Sequence, residues 1–392
     1  VSILRRILGE QRAVGGTWIT DKELNASSAG VAINSQTALT IGSYYAAVKL
    51  YADTVASLSW DTFIRIDGTR RPYRPSPSWM TMPQPLAPNY TAFDLKHRMV
   101  SSLLIDGNCF VLFIRGRNGD IVEMRVLDPN RVTIKMVDGS PIYTVTGDDK
   151  VGVELTSDAI LHIPLFATGS ELRAPSPVEQ HRTTLGLASA TQLYSAKFYE
   201  QGAAPSAVIK IPGELTQDQA DSLRNSFSRR HEGIEKMHKI AVLTGGADFQ
   251  QMSMKISDMQ LVETMHWGVE SIARLMGVPL QLLQYPEATS YASSEVLMQA
   301  WLRLGLGPLV ARLEAGLQRL VPGADQTFIK FNIDSLLRPT TKERMDAYAV
   351  QLQNGIRSLN EVRRLEDLAD INGGDQHWKP LNIGVVGQDP QA

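Results

Sequence analysis

The sequence predicts an α+β protein of more than one domain, and three observations carry that expectation. Between residues 58 and 164, short runs of alternating apolar residues recur, separated by turn pairs such as Asp67-Gly68 and Asp138-Gly139. From Ser176 onward the apolar residues recur mostly at helical spacing. The composition, 43% hydrophobic and 20% charged over 392 residues, is that of a packed chain long enough for two or three domains.

Taken in order, residues 1–36 are mixed and rich in Gly and Ser, and read as a mobile arm. Thr37 to Ser57 reads as a helix with Tyr45, Val48, Ala52 and Val55 on one face. Leu58, Trp60, Thr62, Ile64 and Ile66 alternate as a strand, and Asp67-Gly68 turns it. The proline-rich stretch from Pro72 to Pro88 is a loop. A helix follows from Thr91 to about Ile105. Cys109 to Arg115 and Ile121 to Leu127 form a hairpin across residues 116–119, and Arg131 to Val137 with Ile142 to Val145 form a second. Ile160 to Pro164 is one more short strand.

Ser176-Pro177 opens a helix to about Gln201, with proline at a tolerated first-turn position. Leu187, Ala190, Tyr194 and Phe198 make its apolar stripe. Gly186, Ala188 and Ser189 make a small-residue face that would let a neighbouring helix approach closely. Between residues 203 and 255 a small unit reads as strand (Val208 to Ile211), helix (Thr216 to about His231) and strand (Ile240 to Leu243). Arg229, Arg230, Lys236 and Lys239 cluster there.

Ile256 to Met276 is a helix with Met265, Val269, Ile272, Ala273 and Met276 on one face. Gly277 and Pro279 stop it, because glycine suits the left-handed cap and proline cannot continue the ladder. Leu280 to Ala292 is a loop, and Ser293 or Ser294 caps the next helix. That helix carries Leu297, Trp301, Leu304, Leu309, Leu313, Leu317 and Leu320, and Pro308 should kink it near Leu304. Phe328 to Ile333 is a strand, and Thr340 to Asn354 and Asn360 to Leu368 are short helices.

Several functions find no support. No P-loop, His-Glu-x-x-His or Gly-x-Ser-x-Gly motif occurs. Zinc-type Cys/His spacing is absent, and with Cys109 alone no intrachain disulfide forms, which fits a reducing setting. No apolar run reaches the ~18 residues of a membrane span, and no signal-peptide pattern is visible. The net charge of −2 argues against a tight grip on phosphates.

Ile272-Ala273-Arg274-Leu275-Met276-Gly277-Val278-Pro279 with Leu282-Leu283 resembles the HK97-type portal proteins of tailed bacteriophages. So do Asp106-Gly107-Asn108 before a strand, Leu127-Asp128-Pro129-Asn130-Arg131-Val132, Val242-Leu243-Thr244-Gly245-Gly246, Leu336-Leu337-Arg338 and Asn360-Glu361-Val362-Arg363, in register over residues 37–383. Two departures stand out. Thr264-Met265 follows Glu263 where a basic residue is expected, and Arg173-Ala174-Pro175 precedes Ser176 where the family usually has glycine.

The resemblance implies a portal fold. Its parts would be an arm (1–36), an α/β wing (37–176), a stem helix (177–202), a small α/β clip (203–255) and a second stem helix (256–276). A tunnel loop (277–293), the rest of the wing with its kinked helix (294–338) and a helical crown with a tail (339–392) would follow. It implies a dodecameric ring at one capsid vertex, assembled in the host cytoplasm, through which the terminase large subunit drives double-stranded DNA. The major capsid protein or scaffold and a head–tail adaptor would be its other partners. It implies no membrane, no cofactor or metal, and no catalytic residue.

Residues 256–293 carry Asp258, Glu263, Glu270 and Glu287 against Arg274. As a channel lining this acidic balance would let DNA slide. Gln281, Gln284, Tyr285 and Glu287 would meet DNA from the loop, and Arg229, Arg230, Lys236 and Lys239 would face the motor. Two other classes remain open, a DNA-processing enzyme with a partner-completed site and a non-viral scaffold ring.

Overall fold

The computed structural model describes residues 27, 30–87, 89–147, 151–166, 172–200, 207–210, 216–218, 221–222, 248–251, 255–283, 291–323, 326–337 and 341–377. The chain divides into two compact units, Val1–Phe331 and Asn332–Ala392.

In the first unit the expected opening helix is two helices, α1 (Ser35–Ala38) and α2 (Gly42–Ser57). Asn34 caps α1, its side chain accepting from the N–H groups of Gln36 and Thr37. Ile33 is fully buried and Ser27 nearly so, so the end of the expected mobile arm belongs to the core. Residues 1–26 lie outside the described residues. On α2 the buried face is Tyr44, Val48, Tyr51 and Val55, while Tyr45 is 51% exposed. Val48, Ala52 and Val55 of the expected face are buried as read, and Tyr44 and Tyr51 take the place of Tyr45 because their hydroxyls find carbonyls in the interior. Tyr44 donates to Leu104 (3.0 Å) and Tyr51 to Met276 (3.1 Å).

Strand β1 (Trp60–Ile66) turns at Asp67-Gly68, both at positive φ, into β2 (Thr69–Pro72). This is the expected two-residue hairpin. The returning strand was not expected, since Thr-Arg-Arg-Pro has no apolar alternation and pairs only because the turn folds it back. On its other side β1 pairs antiparallel with β11 (Thr327–Phe331), joining segments far apart in sequence.

Helix α3 (Ala92–Asp106) is capped by Thr91 and ends at Gly107. β3 (Asn108–Arg115) follows, flanked by β4 (Ile121–Leu127) and β8 (Ile160–Pro164). All of Cys109 to Phe113 is buried. The run is continuously apolar because it is covered on both faces. Beside it lies a second sheet of β5 (Val132–Val137), β6 (Ser140–Thr146) and β7 (Gly152–Thr156), the last unforeseen. Phe110, Leu112, Leu127, Val132, Tyr143, Val145 and Ile160 form the core between them.

A polar clasp ties three motifs together here. Asp106 accepts from both sides of its carboxylate from Arg173 (2.8 and 2.9 Å), and Arg173 also donates to the carbonyls of Pro129 and Val132. The unexpected Arg173 thus locks the Asp-Pro-Asn turn to the Asp-Gly-Asn motif. Gly107, at φ +80°, could not be anything else: a β-carbon there would fall 2.4 Å from the Pro175 carbonyl oxygen.

His162, read from sequence as a core residue, donates from Nε2 to Asn108 Oδ1 (3.0 Å) and stacks on Phe110. Burial, with Arg173 nearby, pulls its pKa down to about 4. A depressed pKa contributes stability that is fully present above the unfolded value near 6.5 and lost as pH falls through about 4. We expect the first unit to lose on the order of 2 kcal/mol over that window. His162→Gln should flatten this part of a urea-midpoint-against-pH curve; an unchanged slope would refute the assignment.

The helix expected from Ser176 to Gln201 is α4 (Pro177–Gln180) and α5 (Arg182–Glu200), broken at His181; neither glycine nor proline marks the break. Strands β9 (Ala207–Lys210) and β10 (Asp248–Gln251) pair antiparallel. The expected strand at Ile240 to Leu243, most of the helix from Thr216 and the basic cluster Arg229, Arg230, Lys236 and Lys239 lie outside the described residues. Helix α6 (Lys255–Met276) matches expectation.

α7 begins at Tyr291 and runs to Trp301, so Ser293 and Ser294 lie inside it and do not cap it. A π-helical turn, Leu302–Leu306, then joins α7 to α8 (Gly307–Gln318). Pro308 has no N–H for the Leu304 carbonyl, and the wider turn absorbs the defect. The extra residue rotates the helix face: Leu302 and Leu306 are buried, and Leu304, expected inside, is 80% exposed.

In the second unit, α9 (Thr341–Gln353) and α10 (Leu359–Leu365) match the two expected short helices. Asn360 organises it, donating to the Ile371 carbonyl and accepting from the Ile371 N–H.

Candidate functional site

The site is built on α5 and α6. Ala188 lies against Gly268 and Ser195 Oγ against Met265 Sδ (3.6 Å), so the helices run antiparallel. Their contact uses the small residues: Gly186, Ala188, Thr191 and Ser195 of α5 are buried. A β-carbon on Gly186 would meet Ser27 Oγ at 2.2 Å. The small-residue face therefore packs inside the subunit.

Of the stripe expected on α5, Leu187 and Tyr194 point outward and Ala190 is half-buried. Leu187, Leu193 and Tyr194 of α5 are exposed, as are Val262, Met265 and Trp267 of α6. The buried side of α6 is Ile272 and Ala273, flanked by half-buried Val269 and Met276.

Glu263, Trp267, Glu270 and Arg274 stand at i, i+4, i+7 and i+11 along α6, one line on its surface. Glu263 and Arg274 are exposed, Trp267 is 47% exposed and Glu270 half-buried. Three of the four expected channel-lining residues are thus brought together. Asp258 lies in the same helix five residues before Glu263, which places its backbone position about 140° round the axis from that line. Trp267 is the member the sequence reading left out, although its spacing from Glu263 and Glu270 was there to be read.

The stop after α6 is a Schellman motif. Gly277 takes φ +63°, its N–H donates to the Arg274 carbonyl, and the Val278 N–H donates to Ala273 (2.9 Å). Tyr51 holds the same corner, bonding the Met276 carbonyl and packing on Trp301 with ring centroids 5.2 Å apart. The first part of the expected loop is a 3-10 turn, Leu280–Leu283, which places Gln281 half-buried. Gln284, Tyr285 and Glu287 lie outside the described residues.

The sequence profile of the family described as "Phage portal protein" matches residues 43–367. This chain belongs to the phage portal protein family. The portal chain is 32% identical to the "Probable portal protein" of Streptomyces phage phiC31, over 93% of this chain and 83% of that one. It is 25% identical to the "Portal protein" of Enterobacteria phage HK97, over 88% and 82% of the two. Its fold matches a chain in the virion of a native gene transfer agent particle, with TM-score 0.60, 23% identity and coverage of 86% and 94%. It also matches the crystal structure of an HK97 family phage portal protein from Corynebacterium diphtheriae, with TM-score 0.58, 18% identity and coverage of 79% and 100%. The mixed helix-and-sheet architecture expected from sequence is thus that of solved portal structures.

Proposed function

We propose that the portal chain forms a closed ring around a DNA channel at one capsid vertex, through which the viral genome is packaged and ejected. The observation that carries this reading is the outward apolar stripe of α5 and α6. In a lone subunit Leu187, Leu193, Tyr194, Val262 and Met265 face water. Neighbouring copies cover them, and heterologous contacts that close generate rings. In this reading α5 and α6 are the stem, the sheets before them and the α7–α8 helix with β11 the wing, residues 203–255 the clip and the second unit the crown. The ring is structural and not catalytic, so ATP hydrolysis belongs to the terminase. The clip with its basic cluster receives that motor, and capsid and adaptor proteins contact other faces.

A mass measurement across micromolar concentrations tests the ring, with a dodecamer expected. A strictly monomeric chain would defeat the proposal.

The line of Glu263, Glu270 and Arg274 faces the channel, and its acidic balance keeps DNA mobile. We expect weak, sequence-independent binding of duplex DNA with a shallow salt dependence. Tight, sequence-selective binding at physiological salt would overturn the sliding model.

Residues 277–293 form the tunnel loop, anchored by the Schellman stop and the start of α7. Replacing Gln284 to Ser290 with a short Gly/Ser link should leave rings intact and impair packaging or retention of DNA. Normal packaging would remove the loop from the mechanism, and failure of rings to form would make it a structural connection.

A further inference from the structure

The solvent face of the β11–β1–β2 sheet carries a cationic patch that the channel reading does not use. Register pairs Phe63 with Phe328 and Arg65 with Arg70. The two phenyl rings stack with centroids 5.9 Å apart. The Arg70 guanidinium lies 3.6 Å from the Phe63 centroid and that of Arg65 5.6 Å from Phe328. Arg71, the next residue of the exposed strand β2, pairs with Ile64 and belongs to the opposite face. The carboxylates bordering the patch are engaged elsewhere, Asp61 with Arg74 (2.6 Å) and Glu314 with Lys330. Against Asp67 in the turn, the guanidiniums of Arg65 and Arg70, without a carboxylate partner among the described residues, leave this face positive. Beside them opens a cleft of about 500 Å³, lined by Arg65, Phe328, Gln326 and Lys330 and floored by Ala311 and Ala315 of α8.

Charge on an edge strand guards against unwanted pairing. That role accounts for Arg70 and Arg71 on β2, but not for Arg65 on the central strand above a cleft. We propose that this face docks an acidic polypeptide segment of another protein, whose carboxylates pair with Arg65 and Arg70 and whose apolar side chain enters the cleft. Guanidinium and carboxylate match in a two-point geometry. Nucleic acid fits less well. Two free cations are few for a phosphate grip, and the phenyl rings are already roofed by arginines and offer little face for base stacking. The longer remaining segments of the chain are not acidic. Residues 1–26 carry Arg5, Arg6, Arg12 and Lys22 against Glu10, Asp21 and Glu23, and residues 223–247 are basic. Docking at this face does not depend on the ring.

Fluorescence anisotropy of a short labelled peptide of glutamate and leucine, titrated with the full chain, tests the proposal. Saturable, salt-sensitive binding is expected, weakened roughly tenfold or more by Arg65→Ser with Arg70→Ser, the loss of one or two charge-assisted bonds. Arg70→Glu alone, a reversal on a fully exposed strand that leaves folding undisturbed, should weaken it too, and Arg71→Glu, on the opposite face of the same strand, should not. Lys135→Ser, which removes a cation from another sheet, should not. Binding equal in parent and patch variants, no binding by the parent, or tighter binding of a single-stranded oligonucleotide than of the peptide would overturn it.

Discussion

Asn108→Ala is expected to destabilise the first unit by about 3 kcal/mol, among the larger effects of a single side-chain truncation. Asn108 is completely buried and uses its whole amide. Its Nδ2 donates to the Ala174 carbonyl (2.9 Å) and to Asp106 (3.2 Å), and its Oδ1 accepts from the Ala174 N–H (2.9 Å) and from His162. Alanine would orphan the Ala174 N–H and carbonyl and the His162 ring in a site water does not reach. Each orphan costs about 1–3 kcal/mol, discounted for relaxation. The loss should appear as a lower urea midpoint with unchanged slope. A change below about 1 kcal/mol would mean that the clasp is satisfied by water and is not the tie between the strand and the entry to α4.

Leu193→Asp with Tyr194→Asp should convert rings into monomers without unfolding them. Both residues are about half exposed in the subunit, at 51% and 52%, so their replacement takes little from the fold. In the ring each would be covered by a neighbour. Covering the exposed halves of two large apolar side chains contributes about 1.5–3 kcal/mol per contact, and a carboxylate placed there must be desolvated as well. The contact recurs at every subunit boundary, so the loss is multiplied around the ring. Light scattering and a thermal melt separate the two effects. Persistent rings would place the seam on another face, and a collapsed melting temperature would make the stripe part of the subunit's own core.

Much was legible locally. The hairpins at Asp67-Gly68 and Asp138-Gly139 and the stop at Gly277 follow from residues whose backbone preferences are strong enough to act alone. The buried run at Cys109 to Phe113 and the helix at Ile256 to Met276 follow from hydrophobic patterning. Glu263, Glu270 and Arg274 fall on one line because helical spacing is geometry, and the same geometry sets Asp258 apart.

What the sequence determined by itself was most of the helices and strands, where glycine and proline end them, and which family the motifs resemble. It could not say which face of an amphipathic segment turns inward when two are plausible. On α5 the larger apolar residues lost the interior to Gly186 and Ala188, because a second helix and residue 27 approach too closely for anything bigger. On α2 the hydroxyls of Tyr44 and Tyr51 found carbonyls on distant elements, Leu104 and Met276. After Trp301 a π turn, called for by Pro308, rotated Leu304 into water. Each of these depends on atoms supplied by another part of the chain, and no local pattern encodes where those atoms will be.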